Sequence, residues 1–138
     1  MMNIIGHGID LVDVAEMRRW IDDPRDPLIP RCFAQEELDE IGDGPDRVER
    51  LSGRFAAKEA VLKALGTGFG AGVAFSDVII HRAAGAPPQV RLTSGAAKAA
   101  TDLGITEWRL SISHAGAMAV ASAIAISGSP HGDGSDGA

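Results

Sequence analysis

Residues 46–66, DRVERLSGRFAAKEAVLKALG, constrain the fold more than any other stretch of the chain. They contain no proline. At about 100° per residue, Val48, Leu51, Phe55 and Leu62 fall within about 60° of one another, the stripe of a core-facing helix. Asp46 with Glu49 offers a capping pair at the start, and Gly66 offers a C-cap at the end. Gly53 costs a helix interior about 1 kcal/mol, so its presence predicts another backbone passing close by. Glu59 falls inside the apolar stripe. A lone ionised carboxylate is expensive to bury, so Glu59 must be neutral, paired or bound to a cation.

The helix is flanked by shorter elements. NIIGHGIDLVDV alternates as a strand, with Ile5, Ile9 and Leu11 on one face and Gly6, Gly8 and Asp10 on the other, which leaves open space beside Asp10. Asp13 and Glu16 form a capping pattern that starts a short helix, VAEMRRWI, directly after the strand. DDPRDPLIP, with three prolines, predicts a loop, and AQEELDEI a second short helix closed by Gly42. Further on, FSDVIIHR and PQVRLT read as two strands joined by AAGAPP, and SGAAKAATDLG as a helix capped by Ser94 and stopped by Gly104. EWRLSISHAGAMAVASAIAIS alternates as two strands around Ala115, Gly116 and Ala117. Its second strand sets Val120, Ile124 and Ile126 on one face and Ala119, Ala121, Ala123 and Ala125 on the other. The alanine face invites very close packing, by a helix or by a neighbouring subunit. The tail from residue 127, GSPHGDGSDGA in its last eleven positions, has nothing to bury and is expected to be disordered, leaving one domain over residues 1–126.

Composition excludes several classes of function. The net charge of −6 opposes general nucleic-acid binding, which needs a basic footprint. No apolar run approaches the ~18 residues of a membrane span, and the start has no basic segment, long apolar stretch and cleavage site of a secretory signal. Cys32 is the single cysteine, which excludes an internal disulfide and suits a reducing cytoplasm. His7, His81 and His131 show no zinc-ligand spacing. Ser111, Ser113 and His114 in SISH lack both a nucleophile elbow and an acidic partner, against a serine hydrolase. Charge is concentrated in the first half: residues 1–70 hold 9 basic and 14 acidic side chains, residues 71–138 only 4 and 5.

Two constellations carry chemistry. Glu59 either pairs with Lys63, one helical turn on, or joins Asp10 in a hard-cation site. Arg54, Lys58 and Lys63 lie within three turns of the helix, followed by GTGFGAG, whose backbone N–H groups suit a polyphosphate. The alternative is a solvated basic face. The loop lacks the Gly-Lys-Ser/Thr ending of a P-loop and follows a helix rather than a strand.

Four blocks, GHGIDLVDVAEM, RCFAQEEL, LSGRFAAKEAVLKALGTG and LSISHAGAMAVASAIA, resemble in order and spacing the holo-acyl-carrier-protein synthases, the small 4′-phosphopantetheinyl transferases, across residues 4–126. The resemblance implies an α+β fold, with an antiparallel sheet against one long helix and several short ones. It implies transfer of 4′-phosphopantetheine from coenzyme A to a serine of apo acyl carrier protein, releasing adenosine 3′,5′-bisphosphate, in fatty acid biosynthesis. Asp10, Glu59 and Lys63 would be catalytic, with Mg²⁺ on Asp10 and Glu59, and Glu59 or a metal-bound water as the base. Arg54, Lys58, Lys63 and His114 would meet coenzyme A phosphates, Gly66 and Thr67 would line the pantetheine path, and Arg18, Arg19 and Arg25 would dock the acidic carrier. The family's homotrimer, with a site at each subunit interface, would suit the alanine face, and Asp10 and Glu59 could then come from different subunits. Two other functions fit the same residues: a silent trimeric module that binds coenzyme A, and a metal-dependent nucleotide pyrophosphohydrolase.

Overall fold

A computed structural model describes residues 1–25, 27–66 and 72–128. Thr67 and most of the glycine loop lie outside the described residues, as do residues 129–138 of the tail. The elements run β1 (Asn3–Asp13), α1 (Val14–Asp22), α2 (Leu28–Cys32), α3 (Gln35–Ile41), α4 (Arg47–Leu65), β2 (Val78–His81), β3 (Gln89–Leu92), α5 (Ser94–Leu103), β4 (Ile105–Ala115) and β5 (Met118–Ser127). The fold is α+β: β1, β5 and β4 form an antiparallel sheet in that order, and β2 and β3 form a separate hairpin.

The sheet is built around a floor of small residues. Gly6, Gly8 and Asp10 of β1 stand opposite Ala125, Ala123 and Ala121 of β5, and Trp108, Leu110 and Ile112 of β4 stand opposite the same alanines from the other side. Helix α4 lies on this floor. A Cβ at Gly8 would sit 1.9 Å from the Ala60 carbonyl oxygen, and one at Gly6 2.1 Å from that of Ala64. The glycines therefore do not leave space beside Asp10; the backbone of α4 occupies it. Ala119, Ala121, Ala123 and Ala125 are at most 1% exposed. The chain's own helix thus takes the alanine face, and a neighbouring subunit has no access to it.

On β1 and β5 the larger apolar residues lie on the opposite side of the sheet. Ile9 and Leu11 are 57% and 61% exposed, so the apolar face of β1 points outward and the glycine face points to the core. Helices α1 and α3 and strand β2 also pack on α4. From Leu51 to Leu65 the helix is consequently buried on almost every side, well beyond the single stripe the periodicity predicts. Trp20, Phe55 and Phe75 form an aromatic row over α4, with ring centroids 6.0 and 5.1 Å apart.

Helix ends follow local chemistry in part. Asp13 caps α1, its Oδ1 accepting from the Ala15 and Glu16 backbone N–H groups at 2.9 and 3.3 Å. Gly42 closes α3, and Gly66 closes α4 in the left-handed conformation at φ 73°. Asp46 does occupy the N-cap position of α4 but makes no cap bond; its carboxylate lies 3.8 Å from Arg50 Nε. Thr93, not Ser94, is the N-cap residue of α5. Part of the expected proline-rich loop is helical, because Pro27 sits at the N-cap of α2 and Pro30 in its first turn, where a missing N–H leaves no intrahelical bond unmade.

Candidate functional site

Strand β1 and helix α4 bring Asp10, Glu59 and Lys63 together. Lys63 Nζ donates to Asp10 Oδ1 and to the Ile9 carbonyl, each at 3.0 Å. The i, i+4 pairing of Lys63 with Glu59 is therefore not formed, since the strand offers Lys63 a carboxylate and a carbonyl at once. Glu59 is half-buried and makes no hydrogen bond or ion pair among the described residues. Burial pushes its carboxyl above the usual range, the Asp10 charge pushes the same way, and Lys63 opposes them. Within one chain the Asp10 charge already acts on Glu59.

Such a pair fits a hard cation. Among the described residues one carboxylate has no partner and the other shares one oxygen with an ammonium, a donor set that a divalent ion would complete. Among the described residues no cluster of three or more His, Cys, Asp or Glu is arranged around a metal. Magnesium is commonly bound by one or two carboxylates with water and substrate phosphate in the remaining positions.

Toward the N-terminal half of α4 a cleft of about 400 Å³ opens between the helix, the turn after β2, and β4. Arg50, Gly53, Arg54, Arg82, Ile112 and His114 line it. A Cβ at Gly53 would lie 3.0 Å from His114 Cε1 and 3.1 Å from Ile112 Cγ2. Gly53 therefore makes room for side chains of β4, not for a passing backbone. With Nε2 protonated, His114 donates to the Glu49 carbonyl at 3.0 Å, which pins the ring at the cleft. Arg54 is 5% exposed and donates from Nη2 to Glu40 Oε1 at 2.6 Å. Its Nε and Nη1 are buried without a hydrogen-bond partner among the described residues. Burial lowers the guanidinium from its ordinary value, and the Glu40 charge raises it again.

Lys58 does not reach this cleft. It is fully buried, pairs with Glu37 at 2.7 Å and donates to the carbonyls of Phe75 and Val78. Its Nζ also lies 5.2 Å from the centre of the Phe33 ring. Glu37 is satisfied in turn, accepting from Ala34 N and Ile80 N, both at 2.9 Å. The expected phosphate contact by Lys58 is therefore corrected: the ammonium is sealed inside an internal network that ties α3, α4 and β2. Arg54, Lys58 and Lys63 do not form one basic face either, whether solvated or phosphate-binding, because only Lys63 has a side chain as much as 54% exposed.

Elsewhere, Gly66 lies at the end of α4 and, its chain neighbours aside, no atom of the described residues comes within 4 Å of a would-be Cβ. Arg18 and Arg19 are exposed on α1, with Arg19 3.8 Å from Glu16. Arg25 is held by Asp23 through two side-chain hydrogen bonds of 3.1 and 3.2 Å, so much of its charge is already matched. Sequence reasoning missed Glu37, Glu40, Arg50 and Arg82. One signal was present: two carboxylates three apart on a short helix, Glu37 and Glu40, match two cations four apart on the long one, Arg54 and Lys58.

The chain matches the family model described as the 4′-phosphopantetheinyl transferase superfamily over residues 6–120. It is 40% identical over 124 residues to a holo-[acyl-carrier-protein] synthase of Hydrogenovibrio crunogenus, covering 90% of this chain and 98% of the relative. A protein of the same description from Desulforudis audaxviator is 45% identical over 123 residues, covering 89% and 93%. Among solved structures, the holo-[acyl-carrier-protein] synthase of Neisseria meningitidis superposes with a TM-score of 0.80 at 31% identity, covering 89% of this chain and 98% of that one. The Helicobacter pylori enzyme, solved in complex with coenzyme A, gives 0.74 at 26% identity, covering 86% and 98%.

Proposed function

Because this chain belongs to the 4′-phosphopantetheinyl transferase superfamily, as a holo-acyl-carrier-protein synthase, we propose a Mg²⁺-dependent reaction that splits coenzyme A at its pyrophosphate. The serine hydroxyl of an apo acyl carrier protein attacks the β-phosphorus, the bond to the adenosine-bearing phosphate breaks, and adenosine 3′,5′-bisphosphate leaves. The observation that carries this reading is the layout of α4. A basic cleft lies at Arg54, and nine residues on, about 13 Å along the axis, Lys63 meets the Asp10 and Glu59 carboxylates. Coenzyme A carries phosphate at two separated places, its ribose 3′-position and its pyrophosphate, and one helix offers a site for each.

Mg²⁺ held by Asp10 and Glu59 would supply neutralisation of the negative charge that builds on the phosphates. The chain's own residues do the rest. Lys63, fixed to Asp10, carries a positive charge to the leaving phosphate. Glu59, half-buried and without a partner among the described residues, would take the serine proton, directly or through water. Arg54 and His114 hold the nucleotide end, Gly66 and Thr67 flank the pantetheine, and the carrier docks on Arg18 and Arg19, with a smaller part for the already matched Arg25. The exposed apolar face of β1 is the natural surface for a homotrimer. Among the described residues no helix is long and apolar enough to cross a membrane, and a cytoplasmic role in fatty acid biosynthesis agrees with that.

The test is chromatographic: adenosine 3′,5′-bisphosphate released from coenzyme A and Mg²⁺, with and without apo carrier. Release only with carrier supports the transferase. Release without carrier would instead identify a pyrophosphohydrolase, and bound, uncleaved coenzyme A in both arms a silent binding module.

A further inference from the structure

Among the described residues Glu40 is the one carboxylate attached to two walls of the basic cleft. Its Oε1 accepts from Arg54 Nη2 at 2.6 Å and from the Arg82 backbone N–H at 2.9 Å, and Oε2 lies 3.5 Å from His81 Nδ1. Arg54 and Arg82 both line the cleft. A single oxygen thus joins α3, α4 and the end of β2 at the point where the cleft opens. We propose that Glu40 is a positioning residue for coenzyme A, holding the Arg54 guanidinium and the turn that begins at Arg82 in the arrangement that receives a phosphate. This rests on the reading of the cleft as the coenzyme A phosphate site.

One observation and one charge argument bear on positioning as against plain structural support. Glu40 takes only Nη2 of Arg54, so among the described residues the buried Nε and Nη1 keep unused donors, which calls for a further partner. The sign of the charge gives the second argument. A negative side chain at the wall of an anion site repels the anion, so if Glu40 acted by its charge alone, removing it would tighten coenzyme A binding. If Glu40 positions Arg54, removing it frees a long flexible side chain and loosens a charge-assisted contact. The two roles predict opposite directions.

Calorimetric titration of coenzyme A with Mg²⁺ present separates them. Arg54→Ala is expected to weaken binding about tenfold, the scale of one lost hydrogen bond to a charged group. Glu40→Ala is expected to weaken it by about fivefold. Glu40→Gln keeps an oxygen acceptor for both donors and is expected to lose no more than about threefold, as a conservative rescue. In steady-state kinetics the loss falls on KM for coenzyme A, with kcat and the KM for carrier held within about twofold. In the Arg54→Ala background, either Glu40 substitution should have no further effect. Binding unchanged or tighter in Glu40→Ala, or equal losses with and without Arg54, would overturn the proposal. If Glu40→Ala does not fold, Glu40→Gln measured in both backgrounds decides by the same comparison. Unchanged affinity in Arg54→Ala would instead overturn the assignment of the cleft itself.

Discussion

Glu59 stands on an otherwise buried stretch of α4 with no partner among the described residues, and burial followed by the Asp10 charge holds its carboxyl above the usual range. A carboxyl raised in the folded state stabilises least when ionised: its contribution is intact below the unfolded value and declines as pH rises through that value toward the folded one. At neutral pH, metal-free Glu59→Gln should therefore melt at the same temperature as the parent or slightly above it, while transfer falls by about a hundredfold or more. Near-normal transfer, or a clear loss of melting temperature, would remove Glu59 from the proposed site. Lys58 gives the converse pattern. It is a buried ammonium with every visible partner internal, and removing one member of a buried ion pair costs about 3 kcal/mol or more. Lys58→Met should lower stability by that order in denaturant titration and leave KM for coenzyme A within about twofold; a raised KM in a stable variant would restore Lys58 as a phosphate ligand. The Asp13 cap was legible in the sequence because cap and helix are neighbours in the chain. The Lys58 pair was not, because Glu37 lies on another helix and periodicity assigns a residue to a face without saying what covers it.

At the scale of elements, the packing of α4 on the sheet depends on what β1 and β5 leave out. Alternation correctly sorted Gly6, Gly8 and Asp10 from Ile9 and Leu11, yet the ordinary rule that larger apolar residues face the core points the wrong way here. Contact between a helix backbone and a strand needs hydrogen or methyl side chains, and the gain comes from the dense packing behind them. Asp10 reaches Lys63 because its neighbours at Gly8 and Gly6 let the strand approach Ala60 and Ala64 so closely. Gly8→Ala should force β1 and α4 apart, destabilising the protein by about 3 kcal/mol and reducing transfer in the fraction that remains folded. A fully stable, fully active Gly8→Ala variant would contradict the packing described.

For the whole molecule, the alanine side of the sheet is closed by α4 and the outer side is open. Ile4, Ile9 and Leu11 are each more than half exposed on β1, beside Val120, Ile124 and Ile126 of β5, which are part-buried. An apolar sheet face of this kind is the surface an oligomer covers. If it forms the proposed trimer, Leu11→Glu should yield a monomer by sedimentation, whereas an unchanged trimer would move the interface elsewhere. The family was legible from four blocks because their motifs are long and ordered. The cleft was not, since Arg54, Arg82 and His114 meet only once the turn after β2 and strand β4 have been folded against α4.

The proposed reaction transfers phosphopantetheine with a metal held by Asp10 and Glu59. Its most direct measurement is the intact mass of a purified apo acyl carrier protein after incubation with the enzyme, coenzyme A and Mg²⁺, beside a chelator control and the Glu59→Gln variant. The account predicts a gain of one phosphopantetheine that vanishes in both controls. An unmodified carrier in the complete reaction, or a gain that survives chelation and the loss of Glu59, would contradict it.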